Sequence, residues 1–143
     1  MMHKSLLMLV ALASPLAAQN APELFDSTRT APLSPGQWNY SASATASEAQ
    51  FGASFSIRCD RTNRRVTLRR IEPGATPLSA LTIDTDLAVQ TIAADGVVAS
   101  SHAVLDAIAF SRGRFIVSGG GGGLRLVLPA APEAARSIED CRN

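Results

Sequence analysis

Strict alternation of apolar and polar positions dominates the middle of this chain. Phe55, Ile57 and Cys59 alternate with Ser54, Ser56 and Arg58. After the turn-forming Asp60-Arg61-Thr62-Asn63, Val66 and Leu68 point inward against Arg65, Thr67 and Arg69 outward. A period of two on both sides of a polar turn predicts a β-hairpin, ended here by Pro73-Gly74. The same period predicts strands from Gln37 to Ser41, led by Trp38 and Tyr40, from Ser79 to Asp84, and over Leu87, Val89 and Thr91. The small, polar stretch Ala42 to Ala49 reads as a loop or a weak strand end. Asp95-Gly96 is a tight-turn signal, and Val97 to Ser100 reads as the returning strand.

The period then changes. Leu105, Ile108 and Ala109 stand at i, i+3 and i+4, with Ser101 as a candidate N-cap and Gly113 as a stop, so 102–111 reads as a short helix. Two further strands, Arg114 to Ser118 and Leu124 to Leu128, flank a hairpin tip of Gly119 to Gly123. Pro132 suits the first turn of a closing helix, Glu133 its positive end, and Ala135, Ile138 and Cys141 its inner face. Many short strands with one or two short helices, one of them C-terminal, predict a mainly β fold: an antiparallel sandwich or a partly open barrel.

The first eighteen residues do not belong to that pattern. Lys4, the apolar run Leu6 to Ala13 and the small-residue stretch Ser14 to Ala18 form the pattern of a secretory signal peptide. Residues 19–36, with Pro22, Pro32, Pro35 and Gly36, read as a flexible leader, and 37–143 as a single β-rich domain. No later stretch has the roughly 18–20 apolar residues of a membrane helix. The chain is therefore expected to be exported, to a periplasm or to the outside. Export gives the two cysteines a meaning: Cys59 and Cys141 are expected to form a disulfide. From Gln19 onward, twelve Arg balance twelve Asp plus Glu, with no Lys. A near-zero net charge argues against nucleic acid as a partner.

Candidate chemistry is sparse. His102 is the one histidine outside the signal-peptide segment and Asp106 lies a helical turn on, but no nucleophile motif accompanies them. A surface histidine at a helix start is the plainer reading, and a small serine hydrolase using His102 the alternative. Asp84 and Asp86 lack the glycine and distal glutamate of a calcium loop and read as a solvated strand end. Gly119 to Gly123 lacks the Lys-Ser/Thr and the following helix of a phosphate loop. No catalytic residue, metal ligand or cofactor is assigned.

The one concentrated feature is the basic run Arg58, Arg61, Arg64, Arg65, Arg69 and Arg70, opposed nearby by Asp60 and Glu72. Arg58, Arg65 and Arg69 share the hairpin's outward face, a candidate surface for a protein or an anionic envelope component, because guanidinium pairs carboxylate and phosphate bidentately. The other reading of that face is a solvated sheet surface. A narrower version of the binding reading is inhibition of an exported hydrolase, by analogy of fold alone.

In layout, the chain resembles exported small β domains of the invasion-associated locus B type. The resemblance rests on Trp38 leading the first strand, on Ser56-Ile57-Arg58-Cys59, and on Leu105 to Phe115 with Ala109 and Gly113, over about residues 37–130. The additional cysteines usual in that family are absent, and the ending Ile138-Glu139-Asp140-Cys141-Arg142 is different. The resemblance implies a non-catalytic envelope or secreted protein, with no catalytic residues to carry over.

Overall fold

Residues 31–71, 80–119 and 125–143 are described by a computed structural model, and residues 1–18 lie outside them. The described residues form nine strands and two helices. The strands are β1 (Trp38–Ala42), β2 (Ala46–Phe51), β3 (Phe55–Asp60), β4 (Arg65–Arg70), β5 (Ala80–Asp84), β6 (Val89–Ala93) and β7 (Val97–Ala99). Helix α1 (Ala103–Ala109), β8 (Arg114–Gly119), β9 (Leu126–Pro129) and helix α2 (Pro132–Asp140) complete the chain. They form two antiparallel sheets, β1-β2-β3-β4-β7 and β6-β5-β8-β9, as the alternation predicts. Neither is closed into a barrel.

The β3–β4 hairpin forms in the predicted register, with Ile57 opposite Leu68 and Cys59 opposite Val66. Its turn is held by side chains. Asp60 Oδ1 accepts from the Thr62 N–H (2.9 Å) and hydroxyl (2.6 Å), and Asn63 Oδ1 accepts from the Arg65 N–H (3.0 Å). These are the local bonds that make Asp and Asn turn residues.

One core lies between the sheets. Phe51, Phe55, Ile57, Val66 and Leu68 from the first sheet meet Leu81, Ile83, Phe115, Val117 and Leu128 from the second. Phe55 and Phe115 meet edge-to-face, centroids 6.3 Å apart. Both helices contribute apolar faces: Val104, Leu105 and Ile108 from α1, and Ala134 and Ile138 from α2. Cys141, just past α2, is bonded to Cys59 on β3 across 82 residues, the pairing expected of the two cysteines.

Five local expectations are corrected. Ala46 to Ala49, read as a loop or weak strand end, is the start of β2, whose inward positions are the small Ser47 and Ala49 because α2 packs there. The Ser137 hydroxyl of α2 is fully buried and donates to Ile57 O (2.9 Å) on neighbouring β3. The inner face of α2 accordingly runs Ala134, Ser137, Ile138 and Cys141, with Ala135 one step off it.

On β6 the phase is shifted by one. Thr85 closes the β5–β6 turn through its hydroxyl, and this register buries Ile92 while leaving Leu87, Val89 and Thr91 exposed. Nor does Val97 to Ser100 return along β6. Gly96, at φ +68°, packs its Cα against Leu68, where a Cβ would lie 1.9 Å from Leu68 O, and β7 crosses to the other sheet beside β4. The helix cap is His102 rather than Ser101: His102 Nδ1 accepts from the Val104 N–H (3.1 Å).

Of the leader stretch, residues 31–36 lie along the edge of β9, where Ser34 N–H donates to Val127 O (2.8 Å) and Val127 N–H donates to Ser34 Oγ (2.9 Å). Ala31 packs on Ile116 and Val127. Pro73-Gly74 and most of the Gly119 to Gly123 tip fall outside the described residues.

Candidate functional site

Pairing register decides which arginines share a face. Arg58 on β3 lies directly opposite Thr67 on β4, and Arg65 and Arg69 stand two residues either side of Thr67. The three therefore project from the outer face of the first sheet, Arg58 in diagonal contact range of both others. All three are exposed.

The row through Arg58 reads Ser41, Glu48, Arg58, Thr67 and Val97 across β1, β2, β3, β4 and β7. In that row, Arg58 Nη1 stands 3.7 Å from Glu48 Oε2, a long pair between an exposed arginine and a half-buried glutamate, of little energetic weight. Beside this pair, Ser41, Ser43 and Ala46 line a shallow depression of about 210 Å³.

The surrounding acids divide the face unequally. Asp60 lies directly opposite Arg65, but Thr62 and Asn63 occupy its carboxylate oxygens. Those bonds, the Thr62 hydroxyl first, hold the Asp60 carboxyl below its ordinary value, with a smaller contribution from the Arg58 charge. The row through Arg69 reads Asn39, Gln50, Ser56 and Arg69 and contains no acid. Among the described residues neither Arg65 nor Arg69 makes an ion pair. Among the described residues, positive charge on this face is thus least compensated around Arg69.

The other arginines of the basic run do not join them. Arg61 reaches the C-terminal helix, its Nη2 3.3 Å from Asp140 Oδ2. Tyr40 donates its hydroxyl hydrogen to the same carboxylate oxygen, and the Arg136 guanidinium lies 4.4 Å above the Tyr40 ring. Burial alone raises the Asp140 carboxyl, but the Tyr40 bond, the Ser47 hydroxyl and Arg61 outweigh it and hold it below its ordinary value. Arg64 sits in the turn at φ +53°, and Arg70 falls on the inward parity of β4, opposite Phe55. No sequence pattern marks the Tyr40–Asp140–Arg61 group, because its members stand far apart in the chain and meet only once α2 packs on β1 and β2.

The features read as weaker candidates are distributed elsewhere. His102 is spent on its capping bond, and Asp106 pairs instead with Arg142 Nη2 (2.8 Å). Arg142 also donates to Ser100 O (3.0 Å), so this guanidinium fastens the chain's end to the start of α1. Among the described residues no serine hydroxyl bonds to His102, and no histidine–aspartate pair forms.

Asp84 and Asp86 do not act together. Asp86 Oδ1 accepts from the Arg112 N–H (3.2 Å), whereas Asp84 is buried beside Ile116 rather than solvated. Burial raises the Asp84 carboxyl, partly offset by Arg125. No cluster of metal-ligating side chains occurs among the described residues. Set against known protein families, curated proteins and solved structures, the chain matches none.

Proposed function

We propose that this chain is an exported, non-catalytic binding module, acting in the periplasm or after release, that meets a protein or anionic envelope component through Arg58, Arg65 and Arg69. The observation that carries the reading is the state of Arg65 and Arg69: exposed, co-facial and without an ion pair among the described residues. Guanidinium groups in that state are available for bidentate bonds to carboxylate or phosphate. A flat sheet face suits an extended anionic surface better than a small molecule, which needs a concave site. The Cys59–Cys141 disulfide is compatible with an oxidising compartment, and among the described residues no helix is long and apolar enough to cross a membrane. The invasion-associated locus B resemblance points the same way, toward envelope or secreted work without catalysis.

The test is affinity capture from a cell-envelope extract with the disulfide-bonded protein and an Arg65→Glu/Arg69→Glu variant. Both positions are exposed, so the variant is expected to fold like the parent. The reading expects a component retained by the parent and released by moderate salt, with retention by the variant reduced at least about tenfold. Equal retention by both proteins would remove the Arg face from the account.

A further inference from the structure

A sheet edge presents unpaired backbone donors and acceptors, and a folded chain must cover, consume or guard them. In an antiparallel pair these groups alternate between facing the partner strand and facing away, so the register and the flanking bonds identify which residues point off each edge. The four edges of these two sheets meet the problem differently.

At β9 the outward residues are Val127 and Pro129. Ser34 takes both backbone groups of Val127, Pro129 has no N–H, and its carbonyl accepts the Trp38 indole N–H (2.8 Å). At β7 the outward residues are Val97 and Ala99. Val97 N–H donates to Asp95 Oδ1 (3.1 Å), and Ala99 O accepts from the His102 N–H (2.9 Å). At β1 the outward residues are Trp38, Tyr40 and Ala42, and the C-terminal helix α2 packs beside this strand, with Arg136 over the Tyr40 ring and Asp140 on its hydroxyl.

β6 has none of these devices. The Thr85–Ala88 bond fixes the ladder so that Val89, Thr91 and Ala93 point off the sheet. Ala93 O accepts from the Gly96 N–H (2.9 Å), but both backbone groups of Val89 and of Thr91 have no partner among the described residues. The strand reads Val-Gln-Thr-Ile-Ala, without charge, proline or glycine. Leu87 and Val89 are 59% and 38% exposed at its start.

We propose that β6 is a self-association edge, along which two copies of this chain pair antiparallel about a twofold axis at Thr91. The Thr91 N–H then donates to the carbonyl of Thr91 of the partner subunit and receives the same bond in return, while Val89 faces Ala93 of the partner subunit. The edge is self-complementary in that register. Every opposed residue is neutral, small or β-branched, and no like charges meet. Thr91 already bonds Thr82 across β5–β6 (Oγ1 to Oγ1 3.0 Å), so the pairing prolongs a threonine row across the axis. Two four-stranded sheets become one of eight strands, and Val89 is covered.

The experiment is sedimentation velocity of the disulfide-bonded protein over about two decades of concentration, with Thr91→Pro and Thr91→Cys variants. The Thr91 N–H points off the sheet, so proline there removes a bond between copies and none within the chain. The expected result is a concentration-dependent dimer that Thr91→Pro weakens at least about tenfold with unchanged far-ultraviolet circular dichroism. If that variant fails to fold, Thr91→Cys still decides. The proposed register brings Thr91 of the two copies to a Cα separation of about 5.5 Å, a gap that a short bis-maleimide linker between the two introduced thiols spans, so that reagent should give a covalent dimer. A wild-type monomer at every concentration, a dimer unaffected by Thr91→Pro, or the absence of a Thr91→Cys cross-link would each overturn the proposal. The Arg65→Glu/Arg69→Glu variant should dimerise like the parent, which separates this inference from the binding reading.

Discussion

Removing the disulfide with Cys59→Ala/Cys141→Ala gives the folded architecture its sharpest test. The bond closes a loop spanning 82 residues, from the centre of the first sheet to the end of α2. In the chain-entropy treatment a loop of that length restricts the unfolded state by about 4.5 kcal/mol. The lost restriction falls on a domain whose whole stability is on the order of 5–15 kcal/mol. Cys59 and Cys141 are 0% and 1% exposed, so the folded side loses little besides the buried sulfurs.

Urea unfolding followed by fluorescence is the assay, because Trp38 is the single tryptophan and sits at the meeting point of the sheets. Its indole N–H donates to Pro129 O (2.8 Å) and its ring lies 5.4 Å from that of Phe51. With a urea slope of about 1.5 kcal/mol/M, the midpoint should fall by about 3 M. The parent unfolded with reductant should behave like the double variant. A loss below about 1 kcal/mol would mean that the unfolded chain already holds its ends together, and the entropy argument would fail.

Two carboxylates should give opposite pH signatures. The lowered Asp140 carboxyl contributes stability that is present above the ordinary carboxylate value and is lost as pH falls through its own lower value. Asp140→Asn should therefore melt below the parent at neutral pH, with the gap closing in acid. The Asp84 carboxyl, raised by burial, costs the folded state stability as pH rises from the ordinary carboxylate value through its own higher value, so Asp84→Asn should melt above the parent at neutral pH and converge with it in acid. Thermal melts between about pH 3 and 8 read both effects. His102→Ala should cost about 1 kcal/mol in the same melts, the value of a lost N-cap, since that is the bond its Nδ1 makes.

The parts of the fold legible from the sequence were those in which one face is apolar and the turn carries its own chemistry. The β3–β4 hairpin is the clearest case: large inward residues alternate with arginines, and Asp60 and Asn63 hold the turn with bonds that need no distant partner. The disulfide was legible because only two cysteines are present.

What escaped depends on long-range packing. β2 presents Ser47 and Ala49 inward because α2 approaches closely, and small residues under a helix leave no hydrophobic period to read. β6 misleads because its apolar Leu87 and Val89 are exposed while the register set by Thr85 buries Ile92. The burial of Asp84 has no local signal, since it follows from Ile116 pairing opposite it in a strand far along the chain. For the arginine face, the sequence placed Arg58, Arg65 and Arg69 together. It could not reveal that Arg61 is drawn away to Asp140, or that among the described residues the acids leave the Arg69 end least compensated.

The most direct test of the central claim measures retention of three proteins on one immobilised cell-envelope fraction: the parent, Arg65→Glu/Arg69→Glu and His102→Ala. The account predicts that the charge reversal loses at least about tenfold in retention, with a salt dependence to match, while His102→Ala binds like the parent. Equal retention of the reversed variant, or a loss confined to His102→Ala, would contradict it.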